Sequence, residues 1–273
     1  MGQELRALCG PGGGDRYIFL GRDQMDLSRP WEIEAALERI APDVIIHAGA
    51  YTSVDLAETE YEMADLVNHQ ATSAIAEYAG KNSVRLLYVS TDYVFSGELD
   101  RPLEEVDPCD PVNAYGQSKR LGELAVLRHS PGSVIVRTSW VYSWYGRNFV
   151  KTMLSLMASR QEISVVSDQF GSPTWARDLA EAIMHIIGQE TWVPGIYHYS
   201  NEGRTSWYDF AVAIRDLAGL ACRINPISSS EYPTAARRPR YSLLDKGKVK
   251  RVFGIRVPYW KVSLIDMLRS SDS

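Results

Sequence analysis

Short apolar runs alternate with longer amphipathic stretches in the first half of the chain. The runs lie at residues 17–20, 44–47, 86–90 and 134–137. Each is apolar at successive positions rather than at every second one, which is typical of strands that are covered on both faces of a parallel sheet. The pattern therefore predicts four buried parallel strands.

The stretches between the runs carry apolar residues at helical spacing. They predict helices over residues 31–40, 63–79 and 113–128. In the third helix Leu121, Leu124 and Leu127 share a face, which we expect to pack on the sheet. Strands that alternate with helices indicate an α/β fold with a doubly wound parallel sheet of the Rossmann type.

The residue composition and the length of the predicted elements change after about residue 165. Predicted elements become shorter, aromatic residues and prolines become more frequent, and helices are expected over residues 178–187 and 207–218. We therefore predict a dinucleotide-binding domain over residues 1–165 and a smaller α/β substrate-binding domain over residues 166–273.

Composition excludes several classes of function. The chain has 273 residues and a net charge of -5 without an extended basic face, so no binding to nucleic acid is expected. No apolar run approaches the roughly 18 residues of a membrane span, and the N-terminus lacks a signal-peptide profile, which together predict a cytoplasmic location. Cys9, Cys109 and Cys222 are far apart, so neither a metal site nor a disulfide framework is expected.

Tyr115 and Lys119 stand one helical turn apart and share a face of the third predicted helix. A nearby ammonium stabilises a phenolate, so we expect Lys119 to lower the pKa of Tyr115 from its ordinary value of about 10. The same spacing also occurs in solvated surface pairs. The motif alone therefore does not define a catalytic site.

Thr91 follows the apolar run at residues 86–90, at the carboxyl end of a predicted strand. Ligands of parallel α/β sheets bind beyond these ends, where the hydroxyl can hold a substrate carbonyl oxygen beside Tyr115. A purely structural threonine is the alternative. The presence of Tyr115 and Lys119 about 25 residues later favours the catalytic interpretation.

Six sequence blocks carry a resemblance to a known family. They occupy residues 42–55, 90–95, 115–119, 137–142, 168–174 and 232–239. In kind and order they resemble the dTDP-4-dehydrorhamnose reductase family of the extended short-chain dehydrogenase/reductase superfamily, over nearly the whole chain. The block at 115–119 alone implies a dehydrogenase-like site, whereas the three downstream blocks imply this branch.

The resemblance implies reduction of the C4 keto group of dTDP-4-dehydro-L-rhamnose by NADPH or NADH, giving dTDP-L-rhamnose. Thr91, Tyr115 and Lys119 would be the catalytic residues, and Lys119 would also bind the nicotinamide ribose. The residues implied to line the substrate are Thr91, Asp92, Tyr93 and Trp140. Arg237 lies in a short basic cluster and is a candidate contact for a pyrophosphate, with a solvated loop as the alternative.

The cofactor would lie along the first half of the chain. Besides Tyr115 and Lys119, the residues implied to bind it are Gly2, Arg22, Asp26, Leu27, Ala48, Gly49, Ala50, Tyr51 and Thr52. The second strand of the family's fold ends here at Gly21 and Arg22, without the acidic residue that binds the ribose of NAD. Arg22 could accept a 2′-phosphate, which favours NADPH.

The family's first strand and the earlier glycines of its phosphate-binding loop are expected to be missing here, because Met1 aligns near the last of those glycines. A start codon assigned too far downstream, a deliberately shortened chain and natural loss are three open explanations. Residues 10–14 are rich in glycine but follow the first helix, so we interpret them as a connection and not as a phosphate loop.

Two other functions are compatible with the resemblance. One is a non-catalytic regulatory subunit like the reductase-like β subunit of methionine adenosyltransferase, which shares this fold. The other is a reductase or epimerase of a different nucleotide-linked 4-ketosugar. The sequence does not fix the oligomeric state, although members of the family are often dimers, which makes a homodimer the candidate assembly.

Overall fold

The computed structural model describes residues 1–9 and 16–270 as a four-stranded parallel sheet with flanking helices and three two-stranded sheets. The α-helices are α1 Gly2–Leu8, α2 Pro30–Ile40, α3 Tyr61–Asp65, α4 Ala71–Lys81, α5 Ala114–His129, α6 Phe149–Ser159, α7 Ala176–Ile187, α8 Trp207–Leu217, α9 Gly247–Phe253 and α10 Trp260–Arg269. The strands are β1 Val44–His47, β2 Arg85–Thr91, β3 Val134–Thr138, β4 Val141–Tyr142, β5 Glu162–Val166, β6 Phe170–Gly171, β7 Thr174–Trp175, β8 Gly195–His198, β9 Thr205–Ser206 and β10 Arg223–Ile227.

The four-stranded sheet has the order β1-β2-β3-β8, and all of its strands are parallel. The α/β fold class predicted from the sequence is confirmed, and so are the strands predicted at residues 44–47, 86–90 and 134–137. Leu86, Leu87, Val134 and Ile135 are fully buried, as expected for strands covered on both faces. The sequence patterns did not predict β8.

The strand predicted at residues 17–20 is wrong, since this segment has no regular secondary structure. A strand needs a neighbouring backbone for its hydrogen bonds, and the described residues place no further strand beside β1. The apolar residues Val44, Ile45 and Ile46 are only partly buried at this edge of the sheet. The connection predicted at residues 10–14 lies outside the described residues.

The predicted helices form, but one of them packs on a different face. Residues 63–79 lie in α3, a π-helical turn Leu66–Gln70 and α4, which follow one another directly. In α5, Leu124 and Leu127 are exposed instead of facing the sheet. The buried face carries Tyr115, Lys119 and Glu123 because these side chains find polar partners inside the protein. Apolar spacing alone therefore gave the wrong face.

The second half of the chain contributes to two cores. Around α6, α8 and α10, aromatic and aliphatic side chains such as Phe210 form a core of their own. By contrast, Leu179 and Ile183 of α7 pack with Val134 of the central sheet, and β8 pairs with β3. The domain division at residue 165 stays a prediction, and the central sheet contains strands from both sides of it.

Among the helices of residues 1–9 and 16–270, none is both long and apolar enough to span a membrane.

Gly122 allows α5 to lie very close to the π-helical turn. A Cβ atom added at Gly122 would lie 2.3 Å from the backbone oxygen of Asn68 and 2.7 Å from the hydroxyl of Tyr88. Relief of the first contact requires backbone movement, because Asn68 presents a main-chain atom. The position of α5 therefore depends on the missing side chain.

We expect Gly122→Ala to destabilise the protein by about 1–3 kcal/mol, the usual cost of overpacking. The gain of about 0.5–1 kcal/mol from replacing glycine inside a helix is too small to offset it. Urea denaturation measures the change. Gly132→Ala is the matched control, because a Cβ there meets nothing within 4 Å. Equal stability of the two variants would contradict the close packing of α5.

Candidate active site

Thr91 is the last residue of β2 and caps the 3-10 turn Asp92–Val94 that follows. Its hydroxyl donates to Oδ1 of Asp92 over 3.0 Å and accepts a hydrogen bond from the backbone N–H of Tyr93 over 3.2 Å. The residue is buried. Thr91 thus shapes the chain at the carboxyl end of β2 and also presents a hydroxyl there.

Tyr115 reaches the same place from the first turn of α5. The helix begins at Asn113, whose side-chain oxygen accepts from the backbone N–H of Gly116 over 2.8 Å. The phenol of Tyr115 lies near the Thr91 hydroxyl, which acts to lower the pKa of Tyr115. Its ring packs edge-on against Tyr93, with 5.6 Å between the ring centroids. The structure therefore brings Thr91 and Tyr115 together, as the sequence predicted.

Lys119 lies one turn further along α5 and points at the end of β2. Its amine donates to the backbone oxygen of Val89 over 2.8 Å and lies 4.1 Å from the ring centre of Tyr88. Burial lowers the pKa of Lys119 to about 7, although the charge of Glu123 acts in the opposite direction. A substantial fraction of the Lys119 amines is therefore neutral near neutral pH.

The expectation that Lys119 lowers the pKa of Tyr115 is wrong. Burial raises the pKa of Tyr115 to about 12, although the Thr91 hydroxyl acts to lower it. Removal from water disfavours the charged form of each group, so phenolate and ammonium are both destabilised. Tyr115 is consequently a protonated phenol at neutral pH.

Asp92 and Tyr93 also experience this low-dielectric environment. Burial raises the pKa of Asp92 to about 7, while the hydroxyls of Ser242 and Thr91 act against the shift. Oδ2 of Asp92 is buried and has no hydrogen-bond partner among the described residues. The pKa of Tyr93 is also raised, first by burial and then by the charge of Asp92. An uncompensated carboxylate oxygen thus lies beside Thr91.

Asn68 connects the segment after β1 with α5, and sequence analysis missed it. Its side chain accepts from the backbone N–H of Tyr51 over 2.9 Å and donates to the backbone oxygen of Tyr51 and to Ser118, each over 3.0 Å. Asn68 lies in the π-helical turn, a local distortion that often marks functional sites. The only sequence signal was a polar residue within an amphipathic helix.

Glu123 and Arg137 form a second connection that sequence analysis missed. The Arg137 guanidinium donates from Nε to Oε1 and from Nη2 to Oε2 of Glu123, both over 2.8 Å. The side chain of Arg137 is 1% exposed, and that of Glu123 is 0% exposed. An arginine within the apolar run of β3 was the available signal. This ion pair joins β3 to the buried face of α5, which also carries Tyr115 and Lys119.

The predicted cofactor residues lie on three separate segments. Gly2 begins α1, and a Cβ there would meet nothing within 4 Å. Arg22 is exposed, and Oδ1 of Asp26 accepts from the N–H and hydroxyl of Ser28 over 2.9 and 2.8 Å. Leu27 contacts the segment after β1, since a Cβ on Gly49 would lie 2.7 Å from its Cδ1 atom.

The rest of that segment follows β1 directly. Ala48, Ala50 and Tyr51 are partly buried, while Thr52 is exposed. The hydroxyl of Tyr51 donates to Glu60 over 2.6 Å. The side chain of Tyr51 is therefore already engaged, and its backbone is fixed by Asn68.

Two predicted substrate residues lie on other elements. Trp140 follows β3 and stacks on Trp207. The guanidinium of Arg237 donates to Glu98 over 2.9 Å in an exposed ion pair, whereas its backbone oxygen accepts from Asn113 over 2.8 Å. The main chain at residue 237 therefore adjoins the start of α5 while its side chain points to the loop after β2.

Within residues 1–9 and 16–270, no three His, Cys, Asp or Glu side chains lie together in a way that could hold a metal ion.

The parallel sheet, with Thr91 at the end of β2 and Tyr115 and Lys119 on the adjoining helix, defines a Rossmann-fold protein of the short-chain dehydrogenase/reductase type. A family model described as RmlD substrate binding domain matches residues 1–273. The chain belongs to this family.

Several proteins similar to this chain are named dTDP-4-dehydrorhamnose reductase. A dTDP-4-dehydrorhamnose reductase from Burkholderia thailandensis is 41% identical over 264 residues, which cover 91% of this chain and 89% of that protein. The solved dTDP-4-dehydrorhamnose reductase from Clostridium acetobutylicum has a TM-score of 0.95 and 33% identity, covering 99% of this chain and 95% of that one. The enzyme from Bacillus anthracis, solved with NADP, has a TM-score of 0.93 and 37% identity, with coverages of 98% and 94%.

The raised pKa of the buried Asp92 carboxyl group predicts that the free energy of unfolding depends on pH. Its pKa of about 7 in the folded protein exceeds its ordinary value of 3.8. Between these pH values the folded state keeps a proton that the unfolded state has lost, so this group makes the protein less stable as pH rises. Replacing it with a neutral amide should remove that loss.

We expect Asp92→Asn to gain stability relative to the wild type as pH rises from about 4 to about 7, by on the order of 1 kcal/mol per pH unit, and to level off above. Urea denaturation at several pH values measures the difference. Asp216→Asn removes an exposed carboxylate and controls for the change in net charge. A constant difference between Asp92→Asn and wild type over this range would disprove the raised pKa.

Proposed function

We propose that this chain is an NAD(P)H-dependent reductase that converts the C4 keto group of dTDP-4-dehydro-L-rhamnose into the hydroxyl group of dTDP-L-rhamnose. The observation that carries the proposal is the convergence of Thr91, Tyr115 and Lys119 at the carboxyl end of β2. The names of the relatives point to the same reaction.

The residues present fit a nicotinamide dinucleotide. A side chain at Gly49 would collide with Leu27. Because Gly49 has none, the exposed backbone after β1 is open to contact by a ligand. Lys119 can turn its amine from the oxygen of Val89 to a ribose hydroxyl, and Gly2 leaves open space at the start of α1. Arg22 is exposed and available for a 2′-phosphate, which favours NADPH. When bound, the reduced cofactor supplies the hydride.

Tyr115 is the proton donor in the proposed mechanism. A phenol with a pKa of about 12 stays protonated at neutral pH, so the proton is available before reaction. An alkoxide is a much stronger base than a phenolate, and proton transfer from Tyr115 to the new alkoxide is therefore downhill. The raised pKa does not oppose catalysis in this direction.

Thr91 and Lys119 support that transfer from two sides. The Thr91 hydroxyl, which lies near the phenol of Tyr115, can orient the substrate carbonyl oxygen towards it. Once Tyr115 has lost its proton, its negative charge favours the ammonium form of Lys119. Because the pKa of Lys119 lies at about 7, the lysine can take up a proton at this point. Lys119 thus stabilises the phenolate when it forms.

We expect Tyr115→Phe to lower kcat for dTDP-4-dehydrorhamnose by about 100-fold or more, because general acid catalysis contributes on this scale. Oxidation of NADPH or NADH by the purified chain measures the rate. Tyr145→Phe removes the hydroxyl of an exposed tyrosine and should match the wild type. A Tyr115→Phe enzyme with an unchanged rate would refute the proposed role of Tyr115.

We expect Lys119→Met to weaken cofactor binding and to lower kcat as well, because one amine serves both the ribose and the phenolate. Cofactor affinity is measured by calorimetry without substrate, and kcat by steady-state kinetics. Lys151→Met is the matched control, since the Lys151 amine also donates to a backbone oxygen, that of Trp144, over 3.0 Å. Loss of kcat with unaltered cofactor affinity would argue against ribose binding by Lys119.

A further inference from the structure

Trp140 has a strained backbone. It lies just after β3 and has a φ of 48°, in the left-handed region. This conformation is unfavourable for a bulky residue, so surrounding contacts must hold it in place. Such strain is concentrated at functional sites, and here it directs an indole ring out of the end of a central strand.

The indole of Trp140 lies face to face with that of Trp207. The ring centroids are 3.5 Å apart, and the ring planes differ by only 8°. Trp207 therefore covers one whole face of Trp140. A ligand can meet Trp140 only through the rest of its surface.

Trp207 is itself firmly anchored. It is the first residue of α8, whose cap is formed by Ser206 accepting from the backbone N–H of Asp209 over 3.0 Å. The Trp207 ring packs on Phe149, with centroids 4.6 Å apart, and Phe149 in turn stacks on Phe210 at 5.6 Å. This row of rings connects Trp140, through Trp207, to the core around α6, α8 and α10.

Gly171 fixes the Trp140 indole from another element. A Cβ added at Gly171 would lie 2.8 Å from Cε2 and 2.9 Å from Cζ2 of Trp140. The backbone of β6 thus touches the ring directly, and a methyl group there would push the indole away. Trp140 is held by two elements, neither of which contributes Thr91, Tyr115 or Lys119.

We propose that Trp207 is a positioning residue for the nucleotide-sugar substrate, because it fixes the Trp140 ring at the end of β3. This inference rests on the proposed function, in which Trp140 contacts the substrate. Without Trp207 the indole can turn, and part of the substrate's binding energy is spent on ordering it again. The cofactor residues lie elsewhere, so cofactor binding is unaffected.

The test combines kinetics with the position of the ring. We expect Trp207→Leu to raise KM for dTDP-4-dehydrorhamnose about two- to tenfold, the range that an aromatic pair contributes. Affinity for NADPH, measured by calorimetry, should stay unchanged, and Trp207→Phe should restore part of the effect. In protein labelled with fluorotryptophan, the ¹⁹F resonance of Trp140 should shift in Trp207→Leu, because the adjacent ring current is lost.

Two further variants complete the experiment. Gly171→Ala should shift the Trp140 resonance while the Trp207 side chain is retained; because the added methyl group would also lie 2.9 Å from the Ser242 hydroxyl, the resonance and not KM is the readout for this variant. Trp31→Phe removes a tryptophan that is 72% exposed and should leave KM and the Trp140 resonance unchanged. An unshifted Trp140 resonance in Trp207→Leu, or an unchanged KM, would overturn the inference. Absence of turnover in the wild type would instead contradict the proposed function, while the resonance would still show whether Trp207 holds Trp140.

Discussion

The buried ion pair between Glu123 and Arg137 is the interaction on which the arrangement of the site depends. Removing Glu123 would leave the Arg137 charge without compensation in the interior, which costs about 3–5 kcal/mol, whereas without Arg137 the Glu123 carboxylate would keep its ion pair with Arg120. Two parallel hydrogen bonds also fix the distance and the orientation of α5 relative to β3. Since Lys119 and Tyr115 lie one and two turns before Glu123, the same contact places them at the carboxyl ends of the strands.

Burial sets the charge state of the site as well as its geometry. Tyr115 and Asp92 have raised pKa values and Lys119 has a lowered one, in each case with loss of hydration as the largest cause. Every one of these shifts favours the neutral form. A neutral site suits a reaction in which an uncharged ketone gains a hydride and then a proton. Protons can be redistributed among groups near neutrality without creating an isolated buried charge.

Local patterns predicted those parts of the fold that local physics determines. Continuous apolar runs identified β1, β2 and β3, and helical spacing identified α2 and α5. The segment at residues 17–20 has the composition of a strand, but strand formation depends on a neighbour that composition does not reveal. The prediction of which face of α5 is buried was wrong for a related reason. Its inward side chains are polar, and only tertiary partners such as Arg137 make their burial favourable.

Within the site, the motif residues were predictable, whereas the residues that hold them were not. Thr91, Tyr115 and Lys119 stand at recognisable spacings. Their surroundings come from distant parts of the chain: Ser242 acts on Asp92, the backbone of Arg237 meets Asn113, and Trp207 covers Trp140.

These long-range contacts join the second half of the sequence to the ends of the central strands. In the proposed function, the substrate side of the site is therefore formed by tertiary packing across the predicted domain boundary. A change in the second half can alter substrate recognition without touching any residue that takes part in the chemistry. Sequence spacing cannot show such an effect, because the groups involved are more than 60 residues apart, as with Trp140 and Trp207.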